Sequence, residues 1–199
     1  MAFENLVWEE IRTEHIVQDQ WIDLRRSAYR FPDGRVFEPY YTYTKRDYAV
    51  AVASDTEGRF ICVNQFRQGI RQVTTEFPAG GIESRDGAQA GASSLAEALE
   101  GARRELREET GYVSDDWSLL LRTPSQATLS DNFAWLFRAR NCRKVTGQEL
   151  DEMELVNVCL HTEDEIEELI RTGGFQQAVH TLAWLLRCRE DADQKEGGA

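Results

Sequence analysis

Positive charge is scarce in this chain, and several familiar catalytic and structural signatures are missing from it. Lys and Arg number 23 against 35 Asp and Glu, a formal net charge of -12 at pH 7. A surplus of that sign repels polyanions, so neither nucleic acid nor an anionic membrane is expected as a partner. A small phosphorylated substrate would have to arrive with, or onto, a cation. Cys62, Cys142, Cys159 and Cys188 form no Cys-x-x-Cys pair, and His15, His161 and His180 lack zinc spacing. Reduced thiols in a cytoplasmic setting are therefore expected, not a disulfide framework. No apolar run approaches transmembrane length. The start, Met1-Ala2-Phe3-Glu4-Asn5, has no basic stretch followed by a long apolar one, so no signal peptide is expected. Gly80 and Gly81 lack the lysine of a P-loop. Ser130-Asp131 lacks a nucleophile-elbow pattern, which argues against a serine hydrolase.

What is present suits one domain of ordinary core size: 199 residues, 41% hydrophobic and 29% charged. Residues 1–45 read as a β-meander that could form a separate small sheet, with strands over Leu6–Val17, Trp21–Arg30 and Val36–Thr44 and a turn at Pro32-Asp33-Gly34. Two more strands, Asp47–Ser54 and Arg59–Arg67, flank a hairpin signal at Asp55–Gly58. The run Ala49–Ala53 suits a strand buried on both faces. Beyond it come strands over Glu76–Ile82, Trp117–Arg122, Phe133–Ala139 and Glu154–Leu160, and a loop over Pro124–Asn132. Helices are expected over Ser94–Thr110, from Thr162, and over Gln176–Arg189, the first two opened by capping boxes with Glu97 and Glu165. Strands interleaved with helices over residues 46–190 point to an α/β sandwich. The polar tail, 191–199, is expected to be disordered.

The chemistry concentrates at the end of the first helix. Glu105, Glu108 and Glu109 stand at i, i+3 and i+4, so they share one helical surface. Like charges so spaced cost an isolated helix about 0.2–0.5 kcal/mol per pair. Either solvent spreads them apart or a cation neutralises them, and a hard divalent ion such as Mg²⁺ takes oxygen ligands of this kind. An apolar stripe of Leu95, Leu99, Ala102 and Leu106 places the helix on a core, and Gly111 ends it.

Arg104-Glu105-Leu106-Arg107-Glu108-Glu109-Thr110-Gly111-Tyr112 resembles the second half of the Nudix box, and Glu76-Phe77-Pro78-Ala79-Gly80-Gly81-Ile82-Glu83 resembles the strand and loop that lead into it. The copy departs from the family spacing: Asp86 stands where the first Glu is expected, and residues 87–103 separate it from Arg104. The simplest account is an insertion around Gly87–Ser94, and a lid over the substrate is one hypothesis for it.

The resemblance implies a Nudix-type α/β/α sandwich with a mixed sheet and, in the ADP-ribose and nucleotide-sugar subgroup, an N-terminal antiparallel sheet that contributes to a homodimer. It implies Mg²⁺-dependent, or Mn²⁺-dependent, hydrolysis of a nucleoside diphosphate linked to another group, such as ADP-ribose. The family pattern assigns metal binding to Glu105, Glu109 and the carbonyl of Ala79, with Glu108 a third candidate and Arg104 orienting the carboxylates. It also implies a base or an additional ligand from a downstream acidic loop. Glu149, Asp151, Glu152 and Glu154 fill such a stretch, and Glu152 is our choice among them, although an ordinary solvated loop explains any one member equally well. Arg67 and Glu76 match substrate-contacting positions; a cross-strand ion pair on an exposed face is the plain alternative. The strand aromatics Phe37, Tyr40, Tyr41 and Tyr43 could stack on a base, but core or interface use is commoner. Two rival functions stay open: a Nudix hydrolase of a nucleoside triphosphate or dinucleotide, and a non-catalytic nucleotide-sensing module.

Overall fold

A computed structural model describes residues 6–83, 93–152 and 154–197 of the chain. The inserted segment and Asp86 lie outside the described residues, apart from Ser93 and Ser94. The N-terminal meander forms its own sheet, β1 (Glu9–Gln18), β2 (Asp23–Arg30) and β3 (Val36–Thr44), each antiparallel to the next. The main sheet contains β4 (Tyr48–Asp55), β5 (Phe60–Arg67), β6 (Gln72–Glu76), β7 (Ala79–Gly81), β8 (Tyr112–Val113), β9 (Asp116–Pro124), β10 (Phe133–Lys144) and β11 (Val156–His161). Its central path runs β11-β5-β4-β10-β8, with β6 on β5, β7 on β4 and β9 on β10. The β4–β10 pairing is parallel and the remaining pairings are antiparallel, so the sheet is mixed.

β4 shows why the sheet is covered on both sides. Val50 and Val52 pack with Ile166 and Trp184 on one face, the side of α2 (Glu163–Thr172) and α3 (Ala178–Gly197). Ala49 and Ala53 turn to the other face, where Ala98, Ala102 and Leu106 of α1 (Leu95–Thr110) meet the sheet. Alternation along one strand therefore feeds two cores, with valines toward α2 and α3 and alanines toward α1. The α/β/α sandwich with an added antiparallel meander is the architecture expected. Among the described residues no helix is long and apolar enough to cross a membrane.

Three expectations need correction. β10 does not end at Ala139 but runs to Lys144, bending at Asn141, whose φ is 53°, to pair with β8. The tail expected to be disordered from residue 191 continues α3 to Gly197, because Arg138 and Arg140 of β10 hold Glu190, and Arg138 and Arg187 hold Asp191. Of the apolar stripe expected on the first helix, Leu95 is exposed, at the helix start that the cores do not reach.

Candidate active site

The end of α1 is built by its caps and by what lies across it. Ser94 Oγ accepts the Glu97 N–H at 3.3 Å and Glu97 returns a carboxylate to the Ser94 N–H at 2.8 Å, starting the helix where the box predicts. Gly111 ends it in the left-handed region, φ 75°. Only glycine fits there: a Cβ would stand 2.2 Å from the Thr146 carbonyl oxygen.

This frame presents Glu105 and Glu109 one turn apart beneath β7, at 8% and 4% exposure. The Glu109 carboxylate accepts the Ala79 N–H at 3.1 Å. The Glu105 carboxylate lies on Gly80, where a Cβ would meet its atoms at 2.1 to 2.4 Å. Arg104 straps the group, donating to Glu105 at 2.7 Å, Glu108 at 2.8 Å and the Gly81 carbonyl at 2.9 Å. Burial is the main cause pushing Glu105 up to about 7, helped by Glu108 and Glu154 and opposed by Arg104. Burial also leads in pushing Glu109 up to about 8, with Glu105 and Glu154 adding to it and the Ala79 N–H and Arg67 opposing.

The acidic loop is tied to the same helix end. Gln148 Nε2 donates to the carbonyls of Glu109 at 2.8 Å and Val156 at 3.0 Å, and the Glu149 N–H donates to the Glu108 carbonyl at 2.8 Å. Arg107 pairs with Glu149. The loop carboxylate that raises both Glu105 and Glu109 belongs to Glu154. Glu152, our sequence choice, lies exposed on the turn before it. Glu154 is also exposed, and its carboxylate accepts the Asp151 N–H at 3.2 Å.

The alternative of an exposed cross-strand pair does not hold for Glu76. This residue is 0% exposed and takes a bidentate grip from Arg67, whose Nε lies 2.8 and 3.0 Å from its two oxygens. The pair is neither exposed nor directly cross-strand, since Arg67 faces Gln72 and Glu76 faces Val63 in the register. Glu76 thus holds Arg67, and Arg67, a third of its side chain exposed, stands within the field of Glu109. Of the strand aromatics, Phe37 and Tyr40 cluster with Trp8, Tyr29 and Phe31 on the N-terminal sheet. Tyr40 and Tyr43 donate to the 126–128 loop.

Glu105 and Glu109, two buried carboxylates one helical turn apart, offer oxygen ligands of the kind a hard divalent cation takes and a thiophilic one does not. The Gly80 cradle supports the same fit, because it keeps room for the Glu105 carboxylate beside the backbone of Ala79.

Comparison with known proteins agrees with this geometry. A family model described as the NUDIX domain matches residues 44–185. An ADP-ribose pyrophosphatase of Bacillus subtilis (strain 168) is 29% identical over 182 residues, covering 90% of this chain and 92% of that one. A methanol dehydrogenase activator of Bacillus methanolicus is 27% identical over 175 residues, covering 87% and 88%. A crystal structure titled as an ADP compounds hydrolase superposes with a TM-score of 0.76 over 96% of this chain and 98% of its own, at 17% identity, a likeness of fold.

Proposed function

The chain belongs to the NUDIX family and is a pyrophosphohydrolase of it; we propose that it cleaves the diphosphate of ADP-ribose or a similar nucleotide sugar, with Mg²⁺ or Mn²⁺ bound at the end of α1, to a nucleoside monophosphate and a sugar phosphate. The observation that carries this reading is the pair of buried carboxylates, Glu105 and Glu109, held one turn apart under β7 within the field of Glu154. The substrate class is supported by the 29% identity to an ADP-ribose pyrophosphatase over nearly the full chain.

In this reading Glu105, Glu109 and the Ala79 carbonyl hold the ion, which when bound polarises a phosphoryl oxygen and makes a water more acidic. Arg104 keeps Glu105 and Glu108 from splaying. Arg67, fixed by Glu76, offers the free edge of its guanidinium to a substrate phosphate. Glu154, not Glu152, takes the proton from the attacking water. The N-terminal sheet, which exposes Trp8, Ile11, Ile16, Trp21, Val36 and Phe37, pairs with a second copy.

Product release from ADP-ribose, with and without Mg²⁺, tests the reaction in wild type and Glu109→Gln. Metal-dependent turnover is expected, falling by at least about a hundredfold in the variant. Turnover unchanged by the substitution would overturn the site, and turnover only of other diphosphates would overturn the substrate.

A further inference from the structure

We propose that His180 is a positioning residue for the metal-binding carboxylates, acting from the opposite face of the sheet through the backbone of Phe77. The inference rests on the reading of the site as a divalent-cation centre. His180 sits in the first turn of α3 at 3% exposure, far in sequence from every residue assigned to the reaction. Its Nδ1 accepts the Phe77 N–H at 3.2 Å, and its ring lies parallel to that of Phe77, 6° between planes and 6.5 Å between centroids. Accepting at Nδ1 leaves the proton on Nε2. Burial, with Arg67 nearby, lowers its pKa to about 3, so the ring stays neutral and the acceptor stays in place at neutral pH.

Phe77 is the point where the strand to the site can be steered from behind. Glu76 before it is locked by Arg67, and Pro78 after it has no N–H to give. The Pro78 carbonyl accepts from Ala51 at 2.9 Å. The next two residues meet the carboxylates directly: the Ala79 N–H donates to Glu109, and Gly80 makes room for Glu105. A displacement at Phe77 is therefore delivered within three residues to both carboxylates. A histidine kept only to fill the core could be replaced by phenylalanine with the stack retained. Here that change strands a buried N–H, which the chain relieves by moving.

The test compares the full-length metal-free protein with His180→Phe, which keeps the flat ring, and His180→Asn, which offers an amide oxygen near the place of Nδ1. Calorimetric titration with Mn²⁺ reads affinity directly, alongside the Mg²⁺ dependence of turnover. His180→Phe is expected to bind Mn²⁺ about tenfold more weakly. Its requirement for Mg²⁺ should rise in proportion, and kcat at saturating Mg²⁺ should fall less. His180→Asn should recover most of the lost affinity even if it melts earlier, since it loses the stack. Wild-type affinity in folded His180→Phe would overturn the role. Should that variant not fold, nuclear magnetic resonance of the wild type decides: the Phe77 amide and the His180 Nδ1 signals should shift on adding Mg²⁺, and stationary signals would overturn the role. Wild-type protein that binds neither ion would overturn the cation reading and this inference together. Binding and turnover that survive His180→Phe intact would overturn the role of His180 alone.

Discussion

Gly80 and Glu105 show how closely single residues are matched at the site. A methyl group at position 80 meets only the end of the Glu105 side chain, and that end can swing away. Gly80→Ala should therefore leave melting nearly unchanged while raising the Mg²⁺ concentration needed for half-maximal turnover by about tenfold or more. Glu109 carries a cost in the opposite sense. Its carboxyl ionises near 8 in the metal-free fold against 4.5 ordinarily, so the protein is favoured below 4.5 and that contribution is lost as the pH rises through 8. Glu109→Gln, measured above pH 8 with a chelator, should melt higher than wild type, by a difference of about 1–3 kcal/mol once coupling to Glu105 is allowed for. Added Mg²⁺ should close that gap in the wild type and do little for the variant. Equal melting of the two chains under chelator would count against the buried charge.

The elements were legible in the sequence where a local rule governs them. Both capping boxes, the Gly111 stop, the Asp55–Gly58 hairpin and the doubly buried run of β4 follow from short-range chemistry and appear where that chemistry puts them. What was not legible depends on partners far along the chain. The end of β10 looks too polar for a strand until β8 pairs with it. The last two turns of α3 look like a solvated tail until Arg138 and Arg187 reach Glu190 and Asp191. At the site, helical spacing grouped Glu105, Glu108 and Glu109 and the family resemblance chose Glu105 and Glu109 among them, whereas spacing alone could not rank the acids of the 149–154 loop or show that Glu76 faces inward. Arg138 supplies the element-scale test. It is 11% exposed and holds two carboxylates that are 32% and 24% exposed, so Arg138→Met should cost about 1–3 kcal/mol. Hydrogen exchange should localise the loosening to residues after Arg189; protection there equal to wild type would refute the clamp.

For the whole molecule, the proposed dimer rests on the separate N-terminal sheet. It exposes Trp21 at 75% and Val36 at 53%, and large apolar patches on such sheets mark interfaces more often than bare surface. Light scattering after gel filtration should give twice the 22.8 kDa chain mass, and Trp21→Glu with Val36→Glu should halve it. A wild-type mass of one chain would remove the dimer. The parallel pairing of β4 with β10 joins Tyr48 to Ala134, and β7 and α1 both lie within the loop it closes. Such closure is slow, because it must be reached across a long stretch of chain before neighbouring contacts reward it. A nascent chain that has emerged only as far as Gly111 therefore already carries Glu105, Glu108 and Glu109 with β4 to β7 made, but without β10, β11 or the acidic loop. During synthesis the acidic helix end is present well before the site it belongs to.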